Sequence, residues 1–154
     1  MKESVLNLVY PPESIFVADW EFDVETPVAS VTCRVPPGIA YTLTPIPYVT
    51  AENYVRCLSQ SCYLLAEHVL EHKIVSLDLD VDAFREAART YELYYRSLSM
   101  VFHTRVAPGV EFPMRLVLKN WREIRRFHDF VLFTFTNERT VISGEMSFVY
   151  AGKP

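Results

Sequence analysis

The residue pattern predicts an α+β fold in which one long central helix is wrapped by a curved antiparallel sheet. Three observations lead there. A stretch free of Pro and Gly runs from Thr50 to about His72 and repeats apolar residues at helical spacing. Strand-like segments lie before and after it instead of alternating with helices, which excludes a parallel βαβ design. The chain has 154 residues, half of them apolar, enough for one core and too few for two comfortable ones. Residues 1–154 are therefore read as a single domain.

Residues 15–24 and 28–35 are rich in β-branched and aromatic side chains and are separated by Glu25, Thr26 and Pro27, a strand–turn–strand signal for a hairpin. Pro36, Pro37, Gly38, Pro45 and Pro47 follow, so neither a helix nor a central strand can run through that stretch. In the next segment Ala51, Tyr54, Val55, Leu58, Cys62, Leu65 and Val69 recur every three or four residues, the mark of an amphipathic helix. Residues 73–80 are ambiguous between strand and loop, and Asp82 is placed to cap a shorter helix over 83–92. The remainder reads as strands over 93–106, 111–119, 123–136 and 140–151, with turns at Pro108-Gly109 and Asn137-Glu138-Arg139. Phe130 to Phe133 are consecutive apolar residues, so that strand is expected to be covered on both faces, by the helix and by a partner chain.

Composition narrows the class of partner. With 15 basic and 19 acidic residues the net charge is −4, which offers no general attraction to nucleic acid. No apolar run approaches the roughly 20 residues needed to span a bilayer. Cys33, Cys57 and Cys62 make an odd count, and prolines interrupt the N-terminal residues before any signal-peptide apolar region; a reduced, cytoplasmic setting is the expectation. Nine Tyr, ten Phe and two Trp, many in strand segments, are more aromatic area than one small sheet buries, so a homodimer or higher homo-oligomer is expected.

Residues 47–68, PYVTAENYVRCLSQSCYLLAEH, resemble the central helix of the FcoT-like thioesterase family. Ala51, Cys57, Gln60 and Tyr63 agree with the family helix, and Tyr41 agrees with a tyrosine just before it. The resemblance extends weakly from about residue 5 to the C-terminus, where Ser143-Gly144-Glu145 closes the pattern. It implies the hot-dog fold and an acyl-thioester hydrolase acting on fatty acyl-CoA or acyl-carrier-protein thioesters. CoA or phosphopantetheine would then enter as part of the substrate, with no separate cofactor. Relatives in lipopeptide pathways add glycine to enoyl chains, so enoyl-thioester hydration, dehydration or conjugate addition is the alternative chemistry, and a non-catalytic acyl-binding protein is the alternative outside enzymes. The chain departs from the family where Thr50 and Ser59 replace two pocket asparagines and Asn53 replaces the helix glutamate.

Thioester hydrolysis needs a polariser for the carbonyl and a group that positions or deprotonates water. The first amides of a helix starting at Thr50 lack intrahelical acceptors and sit at its positive end, so they can serve as an oxyanion site. Asn53 is placed one turn in, Ser59 and Tyr63 share a face deeper along the helix, and Tyr41 stands in the segment leading to it. These four are the candidate catalytic residues. Thr50 and Glu52 are candidates for substrate binding, with Glu52 the nearest available base, and Arg122, Arg125 and Arg126 beside Trp121 are candidates for phosphate or carrier-protein contact. Each has a plainer explanation: an N-cap for Thr50, half-buried aromatics for the tyrosines, and a solvated basic turn for the arginines. His68-Val69-Leu70-Glu71-His72 matches an H-x-x-E-H zinc pattern, yet a solvated helix end accounts for it equally and no metal is assigned. Asp78, Asp80 and Asp82 imitate a calcium loop, but Ala83 and Arg89 stand where Gly and Glu are required.

Overall fold

The computed structural model of the chain describes residues 4–38, 42–124 and 130–151. A short helix α1 (Leu6–Val9) and a 3-10 turn (Pro12–Ser14) lead into β1 (Val17–Phe22) and β2 (Val28–Arg34). Helix α2 (Ala51–Glu71) and helix α3 (Val81–Arg89) follow, then β3 (Leu93–Phe102), β4 (Glu111–Ile124), β5 (Phe130–Asn137) and β6 (Ile142–Ala151). The six strands form one antiparallel sheet in the order β1-β2-β4-β5-β6-β3, so β1 and β3 are its edges. With α2 packed on β1, β2 and β4, this is the hot-dog arrangement.

Period-two burial explains why the strands hold that helix. In β4, Phe112, Met114, Leu116 and Leu118 are buried while Glu111, Pro113, Arg115 and Lys119 between them are exposed. Ala29, Val31 and Cys33 of β2 and Phe133 and Phe135 of β5 extend the same apolar face. Against it α2 buries Leu58, Cys62, Leu64, Leu65 and Val69, each large aliphatic side chain contributing about 1.5–3 kcal/mol. Gly144 of β6 pairs with Met100 of β3, and a Cβ there would lie 2.1 Å from the Ser99 carbonyl oxygen; only glycine permits this approach.

Polar groups tie the helix to the chain's first segment. The fully buried Gln60 accepts hydrogen bonds from Phe16 N–H (2.8 Å) and Val17 N–H (3.4 Å) and donates to Ser14 O (2.7 Å), fixing where β1 begins. Glu67, also buried, accepts from Val5 N–H (3.1 Å) and from Arg85 Nε (2.7 Å), joining α1 and α3 to α2.

Several expected boundaries are corrected. The cap of α3 is Asp80, whose carboxylate accepts from Asp82 N–H (2.9 Å), because the chain turns helical at Val81. Residues 73–80 form no strand. The strand expected to end at 119 continues through Asn120, Trp121 and Arg122, since a register shift between Leu118 and Asn120 lets it go on pairing with β5. The strand expected over 93–106 stops at Phe102, where His103 and Thr104 N–H both turn to Val141 O. The helix over Leu6–Val9 was not foreseen; the prolines that follow it hid a single turn. Whether Phe130 to Leu132 are covered on both faces concerns side chains outside the described ones. No helix among the described residues is long and apolar enough to cross a membrane.

Replacing Gln60 by Leu leaves Phe16 N–H and Ser14 C=O without partners, each costing about 1–3 kcal/mol. The expected result is a loss on the order of 3 kcal/mol in equilibrium urea unfolding; an unchanged midpoint would remove the clamp from this account.

Candidate functional site

The leading end of α2 is assembled by two backbone hydrogen bonds that hold its approach. Val49 N–H donates to Val106 O (2.8 Å) and Gly109 N–H donates to Val35 O (2.7 Å), so the segment before the helix is strapped to the chain leaving β3. Beside Val49 lies an open groove of about 460 Å³ lined by Tyr48, Val49, Ala51, Tyr54, Phe102, His103, Thr104 and Arg105. The Tyr54 ring packs on Phe102 and on Phe112, both with centroids 5.2 Å away, making an aromatic wall. Arg105 sits over the Tyr48 ring at 5.5 Å, and His103 Nε2 shares a 2.7 Å hydrogen bond with Ser143 Oγ.

Thr50 occupies the N-cap position, but its side chain makes no capping hydrogen bond. This corrects the expectation of an ordinary cap: the Thr50 hydroxyl oxygen is buried and finds no hydrogen-bond partner among the described residues. One turn later the Tyr54 hydroxyl is in the same condition, and burial pushes its pKa up to about 12. Glu52, in the same first turn, is exposed and does not line the groove.

The expected catalytic side chains do not converge on one point. Asn53 is buried and lines a separate cavity of about 120 Å³ against Val35, Pro36, Pro45, Ile46 and Tyr48. Ser59 lies six residues further, about 9 Å along the axis and about 240° around it. Its hydroxyl is hydrogen-bonded to Tyr10 OH (3.3 Å) and to Tyr95 OH. Tyr63 shares that face, edge-on to Tyr10 at 6.4 Å and stacked on Phe148 at 5.9 Å. Burial raises the pKa of Tyr10 and Tyr63 and pushes Tyr95 up to about 12, so this cluster consists of neutral hydroxyls at ordinary pH.

Arg122 is exposed on β4 and is not among the residues lining the groove. Tyr41, Arg125 and Arg126 lie outside the described residues. The cation that does border the groove is Arg105, which sequence reasoning passed over because it fell inside an expected strand. His103 was hidden the same way, and Tyr54 counted only as one apolar position of the helix. A histidine and an arginine just ahead of Pro108-Gly109 were the available signal, since a chain about to turn leaves its strand near there. His68, of the H-x-x-E-H pattern, stacks on Phe22 with centroids 4.1 Å apart and lies 3.3 Å from Asp23 O; burial lowers its pKa.

No protein-family model and no curated protein sequence matches the chain. Among solved structures it is similar to 4-hydroxybenzoyl-CoA thioesterase from Pseudomonas sp., at 12% identity and a TM-score of 0.49, covering 82% of this chain and 86% of that one. It is similar to a hypothetical thioesterase with coenzyme A from Streptococcus pneumoniae, at 12% identity and a TM-score of 0.47, covering 90% of each chain. A thioesterase superfamily protein from Shewanella loihica is similar at 10% identity and a TM-score of 0.46, covering 88% of this chain and 90% of that one. The fold stands on the strand order and the seat of α2, independently of these similarities.

Proposed function

We propose that the chain is an acyl-thioester hydrolase whose site is the groove at the leading end of α2. The observation that carries this reading is an apolar groove running to a helix N-terminus that its own N-cap side chain leaves uncapped. The first amides of a helix have no intrahelical acceptors and carry the positive end of its dipole. A thioester carbonyl placed there is polarised, and the oxyanion formed on attack by water is stabilised more than the ground state. Tyr48, Val49, Tyr54 and Phe102 offer the acyl group an aromatic and aliphatic wall. Arg105 at the same groove matches the phosphates of CoA or of a carrier protein's phosphopantetheine arm. The likeness of residues 47–68 to the FcoT-like thioesterase helix agrees with this placement.

His103 is the group we assign to proton transfer: it lines the groove and is held by Ser143. Its imidazole would take a proton from the attacking water and return it to the departing thiolate. Glu52 is exposed and Asn53 faces its own cavity, so neither is given a part in the chemistry at this groove. Ser59 and Tyr63 face the hydroxyls of Tyr10 and Tyr95 away from the groove and are given no part in its chemistry. The same imidazole supports a second reading, hydration or dehydration of an enoyl thioester, because moving one proton at a carbon next to the carbonyl needs the same base and the same oxyanion donors.

Assembly belongs to this proposal. Edge strand β3 is ten residues long and exposes Tyr94, Tyr95, Leu98, Val101 and Phe102. A long apolar edge with unpaired backbone groups is a template for another strand, and a second copy offers a matching one. Phe102 belongs both to this edge and to the groove, so a homodimer formed along β3 would border the site.

Incubating the purified protein with saturated and 2-enoyl thioesters while following thiol release and product mass tests the chemistry. Thiol release from both supports hydrolysis, a mass gain of one water without release supports the second reading, and inertness toward both ends the proposal. His103→Asn is expected to lower kcat/KM by about 10²-fold or more; full activity in that variant would displace His103 from its role. Native mass spectrometry should find the wild type as a dimer or larger and Leu98→Lys shifted to monomer, whereas a monomeric wild type would remove the assembly.

A further inference from the structure

Two hollows meet at the proline-rich approach to α2: the groove of about 460 Å³ and the cavity of about 120 Å³ that Asn53 lines. Three stretches of chain pass from one lining to the other. On the approach, Pro45 and Ile46 line the cavity and Val49 lines the groove. In the first turn of α2, Asn53 lines the cavity while Ala51 and Tyr54 line the groove. Beyond β3, Arg105 lines the groove and Pro108 the cavity. Tyr48 is the one residue common to both linings among the described residues. Its place is fixed from both sides, since Pro47 restricts φ just before it and Val49 N–H just after it donates to Val106 O (2.8 Å). The Arg105 guanidinium lies over its ring, 5.5 Å from the centroid.

We infer that Tyr48 sets the length of acyl chain the site accepts, by closing the groove off from the cavity behind it. The inference rests on the thioester reading above. Val35, Pro36, Pro45 and Ile46 give the cavity a largely apolar lining, which suits methylenes. Its 120 Å³ is the liquid volume of about four water molecules, and a methylene is of similar size, so it has room for roughly three or four further carbons. While the tyrosine stands, a chain lying in the groove stops against it, and each carbon beyond that point stays in water. Tyr48 is 42% exposed whereas Tyr54 is 2% exposed, so a smaller side chain at 48 removes the wall without opening the core.

The test measures kcat/KM for saturated acyl-CoA of increasing length, and Kd for their non-hydrolysable thioether analogues. In the wild type, affinity is expected to rise with length and then level off. In Tyr48→Ala it should go on rising for about three or four further carbons, by about fourfold for each methylene buried. Ile46→Phe fills the cavity: alone it should leave the wild-type length limit unchanged, and added to Tyr48→Ala it should bring the extended limit back. Tyr48→Leu should move the limit the same way by a smaller step, and it carries the test if Tyr48→Ala fails to fold. A limit unchanged in both Tyr48 variants, or an extension that Ile46→Phe does not reverse, overturns the inference while leaving thioester chemistry standing. A limit shortened by Ile46→Phe alone also overturns it, because the chain then reaches the cavity past an intact Tyr48. If no thioester is turned over and no analogue binds at any length, the thioester reading falls and takes this inference with it.

Discussion

The structure depends on burying a 21-residue helix against one concave sheet face, which obliges the polar side chains along it to find partners inside the protein. Gln60 meets the obligation by setting the start of β1, Glu67 by holding α1 and α3, and Ser61 by donating to Cys57 O on its own helix. These bonds make the helix an organiser as well as a filler of the core. Edge strand β1 and the N-terminal turn are placed by side chains from the middle of α2, more than 40 residues away in sequence. The first turn is the exception: Thr50 Oγ1 and Tyr54 OH are buried with no hydrogen-bond partner among the described residues.

A single helix thereby carries surfaces of different character. Its leading end borders the groove with His103 and Arg105, Asn53 faces the proline-rich segment, and Ser59 with Tyr63 faces the hydroxyls of Tyr10 and Tyr95. The 100° step between successive residues makes this separation unavoidable, because side chains one or two positions apart cannot share a face. At the leading end the groove is completed by another element, the chain leaving β3, which brings His103 and Arg105 to it.

That segment links the site to the sheet edge. β3 is pressed close to β6 at Gly144, and just beyond Phe102 the His103 and Thr104 N–H groups both turn to Val141 O. Since Phe102 belongs both to the exposed edge and to the groove wall, whatever covers β3 also shapes the end of the groove.

From the sequence alone came the long helix, because seven apolar residues at three- and four-residue spacing leave no other periodicity, and the first hairpin, because Pro27 follows a turn between two alternating stretches. The absence of strand–helix alternation then excluded a parallel sheet. Thr50, Asn53, Ser59 and Tyr63 were legible as polar or hydroxyl-bearing positions on that helix, but a helical wheel says which residues share a face without saying what each face meets. The partners of those faces come from residues distant in the chain: Tyr10 and Tyr95 for Ser59, and Phe102 and Phe112 for Tyr54. His103 and Arg105 gained their place only because β3 ends at Phe102, a limit set by where β6 offers Val141 O and not by local preference. Local spacing determines an element and its faces; strand register and packing between distant segments decide which faces meet, and the site is made of such meetings.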